Sequence, residues 1–278
     1  MTAPQDSPAP QDSTAADSIL LAVADDGLAR ITFNRPARLN AMDFDMAGRW
    51  REVAHRVAED PAITAVIMDA AGPAFCAGGD VVAMSTTGAT GADVTATAHV
   101  IHDGIRTLAL SDTPIVAAVQ GAVAGGGLGL MLTADYIVAA DRAVFVSRYA
   151  NIGLTPDLGV TTLLPAAIGQ RRALQLLLQD RTLTAEEALD WGLIAEIVPA
   201  PDLAARAEAI ARTWLDGATA AFGQATRLVR QGAERTFAAN LDDEAAAIGA
   251  RFATEEARTR VAAFAAASRT RPRTEENR

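Results

Sequence analysis

The 278-residue chain contains no lysine, so all 24 of its basic side chains are arginine, against 34 Asp and Glu and a formal net charge of −10. This balance argues against a nucleic-acid or anionic-membrane surface, because neutralising phosphates requires clustered cations. The single cysteine, Cys76, excludes an intramolecular disulfide and fits a reducing compartment, so we expect a cytoplasmic protein. Aromatic residues make up only 5%, yet half of the residues are hydrophobic, which is a globular composition.

Two segments could be mistaken for targeting or membrane sequences. Residues 1–18 have neither a basic start nor an apolar stretch, so we expect a disordered tail and not a secretory signal. The longest uncharged stretch, residues 113–134, contains five glycines and Gln120. That composition favours a strand, a glycine-rich turn and a buried helix over a membrane span.

Apolar runs of strand length recur along the first 200 residues. Residues 28–34 alternate in polarity, as in a strand with one buried face. The runs 65–70 and 114–121 are continuously apolar, which is typical of strands covered on both faces. Two more apolar runs, 135–140 and 143–148, are separated by Asp141 and Arg142.

Helical spacing appears between these runs and dominates after residue 202. Residues 42–59 predict a helix with one apolar stripe, formed by Met46, Trp50, Val53 and Val57. Thr184 and Glu187 form a capping-box pattern, and Gly192 suits the end of that helix. The chain is therefore predicted to consist of a mixed β/α core over residues 19–200 and a helical region over residues 201–278.

Two glycine-bearing loops, "AFCAGGD" (74–80) and "GAVAGGGLG" (121–129), each follow an apolar strand directly. Glycine lets backbone N–H groups approach a ligand closely, and a helix opening at Gly126 or Gly127 would add its unpaired N–H groups. Two such donors from separate loops make an oxyanion hole. The alternative is that these glycines only permit tight turns and close packing. Neither loop has the spacing of a phosphate-binding or dinucleotide fingerprint.

Five motifs resemble, in order, the enoyl-CoA hydratase/isomerase (crotonase) family: "NRPARLNAMD" from residue 34, the two glycine loops, "GLTPDLGVTTLLPAAIG" from residue 153 and "RTLTAEEALDWGLIAEIV" from residue 181. The resemblance implies an α/β fold, a crotonase-type spiral core of ββα units with a helical C-terminal trimerisation region. It implies a homotrimer or a dimer of trimers. It also implies an acyl-CoA thioester as substrate, with coenzyme A as part of that substrate and no separate cofactor or metal.

The resemblance assigns the oxyanion-hole donors to the N–H groups of Gly79 and Gly126. It places Arg35 and Arg38 where the first strand meets the nucleotide, and an arginine fork suits phosphate. Solvated loop arginines are the alternative. Ala77 is expected to contribute backbone contacts on the adenine side, and the remaining substrate-binding positions are Gly78, Asp80 and Gly125.

The acid and base positions depart from the hydratases of this family. Those enzymes use two glutamates, and the matching positions here hold Gly129 and Tyr149. Asp157 matches the position where some relatives carry an aspartate. A buried carboxylate can take a proton from one carbon and return it to another, so we expect an isomerase in which Asp157 is the proton shuttle. Tyr149 would donate a hydrogen bond to Asp157 or to substrate, or be an ordinary core tyrosine.

Other interpretations stay open from sequence alone. In dehalogenase-like relatives the aspartate is a nucleophile and a histidine on the preceding helix is the base, which would make His102 the base of a dehalogenase or thioester hydrolase. His102 could instead be a packing residue, and Asp157 a turn residue after Pro156. Loss of both glutamates could also mark a non-catalytic acyl-CoA-binding trimer. Cys76 is expected to pack as a small apolar residue, and residues 81–100 are expected to form a mobile specificity loop.

Overall fold

The computed structural model describes residues 18–179 and 181–270, and the expected disordered tail lies outside these residues apart from Ser18. The described strands are β1 Ile19–Val23, β2 Leu28–Phe33, β3 Ala65–Ala70, β4 Ile115–Val119, β5 Ala122–Ala124, β6 Tyr136–Ala140, β7 Val144–Val146, β8 Thr182–Thr184 and β9 Glu196–Val198. The described α-helices are α1 Phe44–Glu59, α2 Val81–Thr86, α3 Gly91–Leu110, α4 Gly126–Met131, α5 Val160–Ile168, α6 Gln170–Leu178, α7 Ala185–Trp191, α8 Leu203–Asp216, α9 Thr219–Gly232, α10 Phe237–Phe252 and α11 Glu255–Thr270. Short 3-10 helices cover Pro36–Arg38, Ala150–Ile152 and Ala200–Asp202.

The strands form two sheets in the described part of the chain. The larger sheet has the order β1-β2-β3-β4-β6-β9, with β1 antiparallel to β2 and the other pairs parallel. The smaller sheet has the order β5-β7-β8. The chain adds β4 to the larger sheet and β5 to the smaller one, then repeats this step with β6 and β7. This alternation gives a spiral, and it confirms the predicted α/β fold class.

The continuously apolar runs are central strands covered on both faces, as predicted. In β3, Val66 and Met68 belong to one core cluster, whereas Ala65 and Ile67 belong to the other. The first cluster packs beneath α1 and α3. The second is covered by α8, which contributes Ala207, Ile210 and Ala211. The uncharged stretch 113–134 contains β4, β5 and α4, and no described helix is long and apolar enough to cross a membrane.

Helix α1 buries its predicted stripe and anchors α3, the helix that carries His102. Trp50 stacks on Phe33 with ring centroids 6.0 Å apart, and its indole N–H donates to the Ile101 carbonyl at 3.1 Å. A Cβ built on Gly104 would lie 2.5 Å from the indole nitrogen of Trp50, so only glycine allows this approach. The position of α3 is therefore fixed by core packing.

The expectation of a mobile loop over residues 81–100 is wrong, because α2 and the first half of α3 occupy this segment. The Asp80 carboxylate accepts a hydrogen bond from the Ala83 N–H and caps α2. Thr90 and Asp93 form a capping box that starts α3. Small residues with no proline permit helix formation here, and the capping side chains decide where each helix begins.

The region after residue 202 is helical, as predicted. Helix α9 is attached to the core by a buried ion pair between Arg230 and Asp135. The Arg230 Nε donates to Asp135 Oδ1 at 2.8 Å, and its Nη1 donates to the Leu108 carbonyl at 2.7 Å. The Asp135 carboxylate also accepts the Ile115 N–H at 2.7 Å. Arg230 thereby joins α9, β4 and the end of α3.

Replacing Arg230 with alanine should lower the free energy of unfolding by about 3 kcal/mol, because removing one partner leaves a buried charge unpaired. The loss is measurable by denaturant unfolding. A matched control is Arg206→Ala, since Arg206 pairs with Glu196 in a solvent-exposed position and should change stability little. Equal effects of the two substitutions would contradict the role given to Arg230.

Candidate active site

The first glycine loop, between β3 and α2, is held by two backbone hydrogen bonds to Met42. The Met42 N–H donates to the Gly78 carbonyl at 2.7 Å, and the Asp80 N–H donates to the Met42 carbonyl at 2.8 Å. Because successive peptide groups of an extended chain point to opposite sides, the N–H of Gly79 faces away from Met42. It has no backbone acceptor among the described residues, and Gly79 lines a cavity that the second glycine loop also lines.

The second glycine loop ends where α4 begins, at Gly126, which confirms the predicted helix start. Gly125 has a φ of +52°, a conformation that favours glycine. As the first helical residue, Gly126 has an N–H without an acceptor in the helix. A Cβ built on Gly78 would lie 3.2 Å from the Gly126 nitrogen, so the two loops touch. Two free donors thus lie on adjoining segments, as an oxyanion hole requires.

These loops form one end of a cavity of about 420 Å³. The wall opposite comes from one face of α3 and from residues 147–157. From the predicted site, the cavity brings together Ala77, Gly78, Gly79, His102, Gly125, Gly126, Tyr149 and Asp157. Asp157 is the one acidic residue among the described residues that line it.

Asp157 and Tyr149 form a short hydrogen bond inside the cavity. The Tyr149 hydroxyl donates to Asp157 Oδ1 at 2.5 Å, so of the two acceptors predicted for it, Asp157 or substrate, the structure has Asp157. Burial, then the charge of Asp157 and this hydrogen bond, raise the pKa of Tyr149 well above its usual range. Tyr149 therefore remains a donor at all ordinary pH values. Its hydroxyl lies beside the second glycine loop, 3.5 Å from a Cβ built on Gly126.

His102 lies on α3 and faces the same cavity, but it is already engaged. Its Nε2 accepts the Leu158 N–H at 3.1 Å, so the ring proton is carried by Nδ1. The pKa of His102 lies below its usual value of 6.5. Burial is the largest cause of this lowering, the charge of Asp157 opposes it, and the charges of His99 and Arg106 add to it. The other histidines differ. His99 lines the cavity beside His102, whereas His55 pairs with Asp103 and Glu59 away from it.

A model of the enoyl-CoA hydratase/isomerase family matches residues 24–271. The chain is 32% identical over 213 residues to 4-chlorobenzoyl coenzyme A dehalogenase-2 of Arthrobacter sp., which is 76% of this chain and 77% of that protein. It is 33% identical over 227 residues to 1,2-epoxyphenylacetyl-CoA isomerase of Escherichia coli strain K12, covering 81% and 87%. A crystal structure of enoyl-CoA hydratase from Bacillus anthracis matches with a TM-score of 0.83 at 26% identity, over 89% of this chain and 95% of that one. The chain belongs to the enoyl-CoA hydratase/isomerase family.

Gly129 stands where the resemblance to the hydratases of the enoyl-CoA hydratase/isomerase family would place a glutamate. A Cβ built on Gly129 would lie 2.0 Å from the Leu158 carbonyl oxygen. The backbone of Leu158 therefore fills the space that a side chain at position 129 would need. Leu158 has a φ of +50° and is 2% exposed. Its part in the site was missed from the sequence, because leucine gives no signal for a left-handed turn.

Arg35 and Asp80, two of the predicted substrate-binding residues, brace the first glycine loop from inside the protein. Arg35 is 7% exposed in its side chain and pairs with Asp43 at 2.8 Å and with Asp80 at 3.3 Å. Burial by itself raises the pKa of Asp80, but the Ala83 N–H, Arg38 and Arg35 outweigh it and lower that pKa. Neither Arg35 nor Asp80 lines the cavity that holds Asp157, but Asp80 lines the groove beside it. They hold the backbone of Gly79 in place.

Arg38 and Ala77, which the sequence predicts to contact coenzyme A, lie together beside the first glycine loop. Arg38 is 37% exposed in its side chain while pairing with Asp80 at 3.1 Å. Together with Ala77 and Gly79 it lines a groove of about 260 Å³. Because Ala77 and Gly79 also line the cavity that holds Asp157, the groove and this cavity meet at the first glycine loop.

Cys76 packs in the core as predicted. Its thiol donates to the Asn40 carbonyl at 3.2 Å, and burial raises its pKa to about 11. A thiol that is buried and protonated cannot serve as a nucleophile at neutral pH.

Proposed function

We propose that this protein is an acyl-CoA isomerase that moves a double bond or opens a ring through a thioester enolate, with Asp157 as the proton shuttle. The observation that carries the proposal is the placement of Asp157 as the one carboxylate among the described residues lining a cavity that also holds Gly79 and Gly126. Its Oδ1 is bound by Tyr149. The same carboxylate can therefore take up and return a proton through Oδ2.

The chemistry is balanced with one acid–base group. Oδ2 of Asp157 takes a proton from a carbon of the acyl group, and the released electron pair moves onto the thioester oxygen. The N–H groups of Gly79 and Gly126 stabilise that negative charge, a contribution of about 3 to 4 kcal/mol per donor in comparable sites. In a double-bond shift the electron pair then returns toward a different carbon, which receives the proton from Asp157. In a ring opening the electron pair instead displaces the ring heteroatom, whose bond to carbon breaks and which receives that proton, so in both cases the substrate is isomerised with no net proton change.

Hydration fits this site poorly. Adding water across a double bond calls for one group to activate the water and another to protonate the α-carbon. Position 129 has no room for a side chain, and Tyr149 is held protonated. One acid–base carboxylate suits an isomerisation better than a hydration.

A second candidate function is dehalogenation or thioester hydrolysis, with Asp157 as nucleophile and His102 as base. The similarity to a dehalogenase and the location of His102 in the cavity favour this candidate. Against it, a base needs a free lone pair, and the His102 Nε2 lone pair accepts the Leu158 N–H.

The two candidates are separated by a single-turnover acid quench followed by mass spectrometry of the protein. Both unsaturated and aromatic acyl-CoAs serve as substrates in this experiment. An isomerase leaves Asp157 unmodified after the quench. The nucleophilic mechanism leaves an aryl ester on Asp157 in a dehalogenase, or a mixed acyl anhydride in a thioester hydrolase, and finding either adduct would replace the isomerase proposal by the second candidate.

Tyr149→Phe should lower kcat by roughly ten- to a hundredfold, because a hydrogen bond to a charged group contributes about 1.5 to 3 kcal/mol. Steady-state kinetics with the active acyl-CoA measures the loss. Tyr136→Phe is the matched control, since Tyr136 donates to Glu196 outside the cavity. A Tyr149→Phe enzyme as active as wild type would show that the hydrogen bond does not orient Asp157.

We also propose that the substrate is bound as its coenzyme A thioester, with Arg38 and Ala77 on the nucleotide side. A separate proposal concerns assembly: we propose that the chain forms a homotrimer or a dimer of trimers. Several large apolar side chains of the last two helices are exposed, which supports burial in an assembly. They are Phe237, Leu241, Ile248, Phe252, Val261 and Phe264. Sedimentation equilibrium at a mass near 28.9 kDa would rule the assembly out.

A further inference from the structure

Leu158, the residue after Asp157, is held in a conformation that a leucine rarely adopts. Its φ is +50°, where the side chain crowds the backbone. Three contacts keep it there. The N–H donates to His102 Nε2 at 3.1 Å, and the carbonyl fills the space beside Gly129. The side chain packs against Gly126, where an added Cβ would lie 2.6 Å from Leu158 Cδ1.

This turn sets the direction of the neighbouring carboxylate. Asp157 and Leu158 share a peptide bond, so a rotation at Leu158 moves the Asp157 side chain relative to both glycine loops. Backbone strain of this kind persists only where surrounding contacts enforce it. Two hydrogen bonds hold the peptide group that joins Asp157 and Leu158. The Val160 N–H donates to the Asp157 carbonyl at 3.0 Å from within the same turn, and His102 accepts the Leu158 N–H from a separate helix.

We propose that His102 is a positioning residue. Its neutral Nε2 accepts the Leu158 N–H and so holds the Asp157 carboxylate toward the two glycine loops. The proposal rests on the proposed function of Asp157. It assigns His102 no proton transfer with substrate. The role requires only an acceptor atom at the place of Nε2.

The role makes the site sensitive to acid. An imidazolium ring has two N–H donors and no acceptor, so protonation of His102 breaks its bond to the Leu158 N–H. The titratable and charged groups that face His102 across the two cavities it lines are His99, Arg106, Arg148, Tyr149, Asp157, Arg230 and Glu234. Burial keeps the pKa of His102 below 6.5 in spite of Asp157. Activity should therefore be constant at neutral pH and fall as the pH drops through that lowered value.

The sharpest test compares His102→Gln with His102→Leu in the full-length protein. Glutamine can place an amide oxygen near the position of Nε2, but it does not titrate. His102→Gln should keep kcat within about threefold of wild type at pH 7 and lose the acidic limb that His102 produces. His102→Leu has no acceptor, and its kcat should fall by about 10²-fold, the effect of a misplacement near 1 Å. His55→Gln, a matched change on the outer face of α1, should keep the wild-type pH profile.

Magic-angle-spinning NMR of protein labelled with ¹⁵N in its three histidines gives a readout independent of activity. At pH 8 we expect His102 to carry its proton on Nδ1, and the His102→Gln spectrum assigns the signal by its loss. An Nε2-protonated ring would overturn the proposal, and so would a His102→Gln enzyme as inactive as His102→Leu. If Asp157 proved dispensable, the proposed function would fail, while the NMR result would still decide the state of His102.

Discussion

Asp157→Asn should lower kcat by about 10²- to 10⁴-fold, the range for losing a general acid–base group. Asparagine has nearly the same shape, and its amide oxygen can still accept the Tyr149 hydroxyl, which donates at 2.5 Å in the wild type. It cannot take up a proton from carbon. The variant should therefore bind substrate with little change in KM and be defective in the chemical step.

Steady-state kinetics with thermal unfolding of the same preparation tests this expectation. Asp141→Asn is a suitable control, because Asp141 is an exposed turn residue between β6 and β7. Both variants should unfold near the wild-type temperature. If Asp157→Asn retains more than about a tenth of wild-type activity, the assignment is contradicted. Such a loss is smaller than the roughly 10²-fold minimum expected when a general acid–base group is removed.

Gly129→Ala should remove most of the activity without touching any group that does chemistry. The new Cβ would lie 2.0 Å from the Leu158 carbonyl oxygen and 2.8 Å from the Leu158 carbonyl carbon. Backbone atoms cannot swing away as a flexible side chain can, so the turn that carries Asp157 must shift. A shift near 1 Å at a catalytic group costs about 10²-fold in rate.

Gly48→Ala provides the matched control for this substitution. Gly48 lies in α1 with no atom within 4 Å of an added Cβ, so alanine should stabilise the protein by about 0.4 to 1 kcal/mol and leave kcat unchanged. Crystal structures of the Gly129→Ala variant would show Leu158 displaced. A fully active Gly129→Ala enzyme would mean that the Leu158 turn does not control Asp157.

Much of the framework could be predicted because it depends on local pattern. The buried stripe of α1 followed from residue spacing alone, and the continuous apolar run of β3 indicated a strand covered on both faces. The start of α4 at Gly126 and the capping box at Thr184 depend on neighbouring residues, which a sequence displays directly. The two glycine loops could also be recognised, since each follows an apolar strand.

The parts that could not be predicted depend on contacts between distant segments. The same arginine fork suits a phosphate or an internal carboxylate, and only the fold reveals that Arg35 pairs with Asp43 and Asp80. The hydrogen bond from the Leu158 N–H to His102 joins residues 56 positions apart, so no local sequence pattern predicts it. Gly129 could be seen to lack a carboxylate, but the backbone that fills its place could not.

The most direct test of the account is proton exchange in deuterated water with unsaturated acyl-CoAs, followed by NMR of the acyl group. Wild-type protein should form the isomer and introduce deuterium at the carbons next to the double bond to the extent that the Asp157 proton exchanges with solvent before its return, and Asp157→Asn should do almost neither. Binding of acyl-CoA by the wild type with neither isomerisation nor exchange would contradict the account and indicate a non-catalytic acyl-CoA-binding protein.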